Sequence, residues 1–102
     1  MTKTEITNEL KAICRDRAML FTFNSYRSMP RGARYHPDHT IISTTDIIYI
    51  EVKIGNDTLS DGQIEAGEIL SECADNNSCV HYFVLTDKNA REIYIDITRI
   101  LQ

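Results

Sequence analysis

Apolar residues along the chain fall into a few periodic runs separated by polar breaks. Ile6, Leu10, Ile13 and Cys14 recur at helical spacing, which predicts an amphipathic helix from Thr4 to about Arg17 with Thr4 as its N-cap. Leu20–Phe23 is a short β-prone run, and residues 24–37 then supply Asn, Ser, Pro, Gly and three arginines, the composition of a long basic loop. Asp38–Ser43 and Ile47–Ile54 are β-rich and separated by a few polar residues around Thr44-Thr45, which predicts an antiparallel hairpin. Ser60 opens a second helix carrying Ile64, Ile69 and Leu70, and Ser60 with Gln63 forms the S-x-x-Q pattern of a capping box. Gly62 and Gly67 run against helix propensity there. Val80–Thr86 reads as a strand, Asp87–Ala90 as a turn, Arg91–Ile95 as another strand, and Thr98–Leu101 as a helical turn. The predicted order is therefore α-β-β-β-α-β-β, a mixed α/β or α+β sheet flanked by helices.

Composition narrows the class. With 102 residues, 42% hydrophobic and 25% charged, the chain suits one domain over residues 1–102. A core of this size protects marginally, so a homodimer is expected where an apolar face stays uncovered. Met1–Leu10 is too polar for a signal peptide and no apolar run reaches membrane-spanning length, so a soluble, cytoplasmic protein without a membrane partner is expected. Cys14, Cys73 and Cys79 form an odd set without C-x-x-C spacing, which suits a reducing compartment, where they would pack as small hydrophobes. The small size is compatible with a viral or mobile-element origin.

Net charge is −4, against a non-specific nucleic-acid coat, but its distribution is uneven. Lys11, Arg15, Arg17, Arg27, Arg31 and Arg34 precede His36 with only Asp16 to oppose them, whereas residues 57–75 hold six acids and no base. A phosphate-binding face and an acidic face in one domain explain this, as do two solvated faces of opposite sign.

The hairpin carries the candidate chemistry. If Ser43 and Asp46 close the turn, paired positions sum to 89 and Asp38 lies opposite Glu51, on one face with Cβ atoms about 5 Å apart. Thr44-Thr45 is a poor two-residue turn, so a four-residue loop in the same register is favoured; an odd-length turn would move Asp38 to the other face. Glu51 and Lys53, two apart, also share a side. Two opposed carboxylates ask for a cation, and Mg²⁺ typically takes one or two carboxylates while keeping waters for exchange with phosphate oxygens. Such an ion polarises a phosphodiester and acidifies a bound water, and Lys53 would orient that water or offset developing charge. Solvent-facing charges are the competing reading of the same residues.

Pro37-Asp38, twelve intervening residues and Glu51-Val52-Lys53 resemble the signature of the PD-(D/E)XK nuclease superfamily. Leu59-Ser60-Asp61-Gly62-Gln63 resembles the "L-S-x-x-Q" helix start of its VRR-NUC branch, and the likeness runs from the first helix through Val80–Thr86. The resemblance implies a restriction-endonuclease-like core and a Mg²⁺-dependent endonuclease, a phosphodiester hydrolase acting on DNA, with Mn²⁺ able to substitute and no organic cofactor. It implies Asp38, Glu51 and the Val52 carbonyl as metal ligands and Lys53 as catalytic lysine. Glu5 would be the first-helix acid, with Glu9 as the alternative, and Gln63 the branch's active-site glutamine, although the capping box alone also explains Gln63. Tyr35-His36 stand where the branch usually has a small residue or Gly, a departure that bears on substrate preference.

Arg27, Arg31 and Arg34 lead into Asp38, where a DNA backbone would be held, with Tyr26 and Tyr35 beside them as candidate base-stacking residues. His36 and His39 suggest a nucleic-acid or solvent-facing pair, and with Cys73 and Cys79 a zinc site whose cysteine spacing is too wide. Within the nuclease reading, a structure-selective enzyme and a Holliday-junction resolvase stand side by side. The other classes are an idle nuclease fold serving as a binding module and a small acidic adaptor.

Overall fold

The computed structural model describes residues 1–23 and 36–102. Helix α1 (Lys3–Cys14) is capped by Thr2, whose hydroxyl accepts from the Glu5 amide at 3.1 Å, so the cap stands two residues earlier than Thr4. A 3₁₀ turn, Arg15–Arg17, ends it and leads into strand β1 (Met19–Thr22). Strands β2 (His39–Ile42) and β3 (Ile47–Val52) form the hairpin. Helix α2 (Asp61–Asn76) then crosses to strand β4 (Val80–Leu85), and helix α3 (Ala90–Ile100) closes the chain. Among the described residues the fold is α+β, three helices on a four-stranded mixed sheet of order β1-β2-β3-β4.

Strands β1, β2 and β3 are antiparallel neighbours, and β4 joins β3 in parallel. A parallel return needs a crossover, which α2 supplies. The hairpin register is His39↔Ile50, Thr40↔Tyr49, Ile41↔Ile48 and Ile42↔Ile47, every pair summing to 89 as the closed Ser43–Asp46 turn predicts. Four residues separate the strands. The Ser43 amide donates to the Asp46 carbonyl at 2.9 Å, and its hydroxyl accepts from the Thr45 and Asp46 amides, which compensates for the poor turn propensity of Thr44-Thr45. His81 on β4 bonds the Asp46 carboxylate at 2.8 Å and ties this end of the hairpin to the next strand.

One face of the sheet presents Ile41, Ile48, Ile50, Val52 and Leu85 to Ile6, Leu10 and Cys14 of α1 and to Ala90, Ile93 and Ile97 of α3. These residues form one buried cluster, and burying each large aliphatic side chain contributes about 1.5–3 kcal/mol. His39 also lies on this face, 4% exposed, bonded through Nδ1 to the Thr22 hydroxyl at 3.1 Å. Burial pushes its imidazole pKa down, with Asp38 opposing. It is thus an interior residue, contrary to the expectation of a solvent or nucleic-acid contact.

The last element departs from the predicted order: residues 91–95 are helix, not strand. Ile93, Ile95 and Ile97 alternate with polar residues and so imitate a strand. Ala90, Ile93 and Ile97 are nevertheless the buried set at helical spacing, and Ile95 is 47% exposed. Asn89 starts this helix by tying the preceding turn to β4, accepting from the Thr86 amide at 2.7 Å and donating to the Val84 carbonyl at 3.0 Å.

The opposite face of the sheet carries Asp38, Tyr49, Glu51, Tyr82 and Val84, and α2 lies over its β4 side. Gly67 makes that approach possible. A Cβ there would stand 2.8 Å from the Tyr82 hydroxyl oxygen, so the residue that weakens the helix locally is the one that lets the Tyr82 side chain pass beneath it. Among the described residues, no helix is long and apolar enough to cross a membrane.

Candidate metal centre

The backbone ladder between β2 and β3 ends at His39↔Ile50, and the Asp38 side chain continues it. Asp38 Oδ2 accepts from the Val52 amide at 2.8 Å, while the Asp38 carbonyl accepts from the Phe23 amide of the β1 side at 2.8 Å. Asp38 is thereby held from both neighbouring strands. Its carboxyl reaches Glu51, the residue that the hairpin register places opposite it.

Glu51 is only 5% exposed. Burial first, then the hydrogen bond with Asp38 and the charge of that carboxylate, push its pKa up to about 8, against the opposing pull of Lys53 and Lys3. With a proton on Glu51 the two acids carry one negative charge between them and share a hydrogen bond. Asp38 and Lys53 are each half-buried.

Gln63 completes the arrangement and unites its two predicted roles. Ser60 accepts from the Gln63 amide at 3.2 Å, and the Ser60 amide donates to Gln63 Oε1 at 2.9 Å, which is the full capping box. A backbone N–H can only donate, so Gln63 must turn its oxygen to Ser60 and its NH₂ away. That NH₂ donates to Glu51 Oε1 at 3.0 Å. The cap of α2 therefore aims the amide at the buried acid.

The Lys53 amide donates to the Leu85 carbonyl on β4 at 2.9 Å. In a planar trans peptide the carbonyl points away from that N–H, so the Val52 carbonyl is directed to the Asp38 side. Asp38 and Glu51 thus meet, with the Val52 carbonyl directed to their side, and two carboxylates with one backbone oxygen are donors of the hard-oxygen type that Mg²⁺ takes.

Glu5 stands apart from this set. Its exposed carboxylate accepts from the Thr2 hydroxyl at 3.2 Å, and with Glu9 it acts electrostatically on Tyr94. Among the described residues no three His, Cys, Asp or Glu side chains gather as a metal-binding group. Cys14 is buried, whereas Cys79 is exposed and not packed as expected. Arg27, Arg31 and Arg34, with Tyr26 and Tyr35, fall outside the described residues.

Two residues escaped sequence reasoning. Lys3 acts on Glu51 from the start of α1, and Tyr82, raised in pKa by burial and then by Glu51, faces the acid from β4. Lys3 belongs to no pattern. Tyr82 was accessible through the parallel pairing Tyr49↔Tyr82, had the strand orientation been known. Comparison with family models, with curated proteins and with solved structures returned no match.

Proposed function

We propose that the protein is a Mg²⁺-dependent endonuclease of the PD-(D/E)XK type, hydrolysing DNA phosphodiester bonds. The observation that carries the reading is the buried Glu51 pressed against Asp38, with Lys53 beside the pair. Two acids forced together inside a sheet at the cost of ionisation suit a site that exchanges a proton for a cation. The order helix, three strands, helix, strand through Leu85 supports the restriction-endonuclease-like core that the signature implies.

Asp38, Glu51 and the Val52 carbonyl would hold the ion. When bound, Mg²⁺ supplies a Lewis acid for a phosphoryl oxygen and a water of lowered pKa. Lys53 brings positive charge to the same end of β3, where it offsets the charge that develops on the phosphoryl oxygens. Gln63 fixes the Glu51 carboxyl by one hydrogen bond donated from its side-chain NH₂, while its own orientation is fixed by Ser60. A rigid carboxylate is worth more to an ion than a mobile one, because its ordering cost is met on folding.

The test is incubation of supercoiled, flapped and four-way-junction DNA with Mg²⁺ or Mn²⁺, comparing wild type with Lys53→Ala. Metal-dependent cleavage reduced about 10²–10³-fold in Lys53→Ala is expected. No cleavage, or a variant as active as wild type, overturns the reading. Preference within the panel separates a flap-selective enzyme from a junction resolvase.

A further inference from the structure

Strand β4 is the last in the sheet order, so one side of it has no strand partner among the described residues. The Ile47 amide donates to the Cys79 carbonyl and the Lys53 amide to the Leu85 carbonyl, which turns the main-chain groups of the odd-numbered residues here toward β3. Those of Val80, Tyr82 and Val84 therefore point outward. The two ends of this outer edge are closed, since the Val80 amide donates to the Asn77 carbonyl and the Val84 carbonyl accepts from Asn89. Between them the Val80 carbonyl, the Tyr82 amide and carbonyl, and the Val84 amide take no partner among the described residues.

Open edges invite pairing with other chains and are ordinarily blunted by lysine, proline, a bulge or a covering segment. Val80–Leu85 contains no lysine, arginine, acid or proline, and its pairing with β3 runs through all of these residues without a bulge. This edge is thus built to be paired.

Beside it, between α2 and β4, lies a channel of about 420 Å³ with Leu59, Ile64, Tyr82 and Val84 among its apolar walls. Its helix side carries Glu68, Glu72 and Asp75, all exposed, and its lining among the described residues includes no Lys, Arg or His. None of the three carboxylates has an ion-pair partner among the described residues. Their spacing of four and then three residues sets like charges side by side, and Glu72 and Asp75 stand near the helix C-terminus with no base in the last turn. Both arrangements weaken the helix. A cation seated in the channel relieves both.

Length and charge choose the occupant. Along α2 the channel runs from Gln63 to Asp75, about 18 Å at 1.5 Å per residue, which is the length of a strand of five or six residues. Two copies pairing β4 to β4 about a twofold axis would bring identical acidic rims together, and a nucleic-acid backbone would meet the same carboxylates, so like charge opposes both. An extended peptide bearing Lys or Arg satisfies the open main-chain groups and the carboxylates at once. Independently of the nuclease reading, we infer that the outer edge of β4 and the adjoining channel receive an extended basic segment of a partner protein, which adds to the sheet as a further strand.

The probe is a fluorescein-labelled, end-capped octapeptide of alternating arginine and valine. It is titrated by fluorescence anisotropy against wild type, Val84→Pro and the triple variant Glu68→Gln, Glu72→Gln, Asp75→Asn. Proline at position 84 deletes an outward N–H, a change that edge strands tolerate, and circular dichroism confirms that each variant is folded. Neither variant replaces Asp38, Glu51 or Lys53, so the result is read apart from the cleavage panel. Wild type should bind the peptide, less tightly as salt is raised, and both variants should bind it at least tenfold more weakly. Two control peptides should also bind wild type at least tenfold more weakly, one with glutamate in place of arginine and one N-methylated throughout. Equal binding by wild type and the triple variant, equal binding of the plain and N-methylated peptides, or no binding of the arginine peptide overturns the proposal. So does a wild-type dimer by light scattering that Val84→Pro converts into a monomer, which would give the edge to a second copy.

Discussion

Glu51→Gln isolates the ionisation of the acid pair from every other titration in the protein. The Glu51 pKa rises from its ordinary value of 4.5 to about 8 in the folded chain, so between these values the native state holds a proton that the unfolded chain has lost. Stability contributed by that proton is complete below the unfolded value and disappears as pH climbs through the folded one. Each pH unit inside the window is worth about 1.4 kcal/mol, so from pH 5.5 to 7.5 the wild type should lose roughly 3 kcal/mol from this group. That is a large share of the roughly 5–15 kcal/mol stability typical of small domains. Glutamine has the shape of the protonated acid, accepts from Gln63 through its oxygen and donates to Asp38 through its nitrogen, and does not titrate. Glu51→Gln should therefore match wild type near pH 5 and exceed it progressively toward pH 8, levelling off above. Urea denaturation of both proteins at pH 5.5, 6.5, 7.5 and 8.5 measures the divergence. Parallel stability profiles across that range would falsify the shared-proton description of Asp38 and Glu51.

The same linkage predicts that Mg²⁺ binding displaces a proton: affinity should rise with pH up to about 8, and titration calorimetry in buffers of different ionisation enthalpy should register a released proton below that value. Gln63→Ala removes half of the capping box and the amide on Glu51, so it should cost about 1 kcal/mol of stability in denaturant melts and weaken Mg²⁺ binding together; retention of both would show that neither bond matters. Met19, Phe21 and Ile42 are 62%, 47% and 40% exposed on the Glu51 face of the sheet, and if the protein dimerises there, Phe21→Asp should convert a dimer into a monomer by light scattering, an unchanged mass refuting that interface. Ile48→Ala opens the centre of the core and should lower stability by about 2–5 kcal/mol, a loss below 1 kcal/mol being incompatible with its complete burial.

Much of the candidate site was legible before the fold because strand periodicity has only two faces. Once Ser43 and Asp46 were taken to close the turn, the meeting of Asp38 with Glu51 followed from arithmetic, and the observed pairs keep that sum. Ser60 and Gln63 were equally legible, since a capping box is a local hydrogen-bond exchange within four residues. Residues 91–95 misled because Ile93, Ile95 and Ile97 alternate as in a strand while Ala90, Ile93 and Ile97 also keep helical spacing, and only burial against α1 and β4 decides between the two. His39 misled because its neighbour is an acid at the strand end, while strand alternation sends its own ring to the opposite, interior side. Lys3 and the Gly67–Tyr82 approach depend on tertiary packing, which no local pattern encodes.

The amide of Gln63 bears on which amino acid evolution could tolerate there. A helix start accepts glutamate at this position as readily as glutamine, since either side chain offers an oxygen to the Ser60 amide. Glutamate would bring no hydrogen to Glu51, and its second oxygen would place a third carboxylate against an acid that already shares a proton with Asp38. Seen from the helix, the two residues are synonyms. Seen from the buried acid, only glutamine can be spelled there without rewriting the charge of the whole pocket.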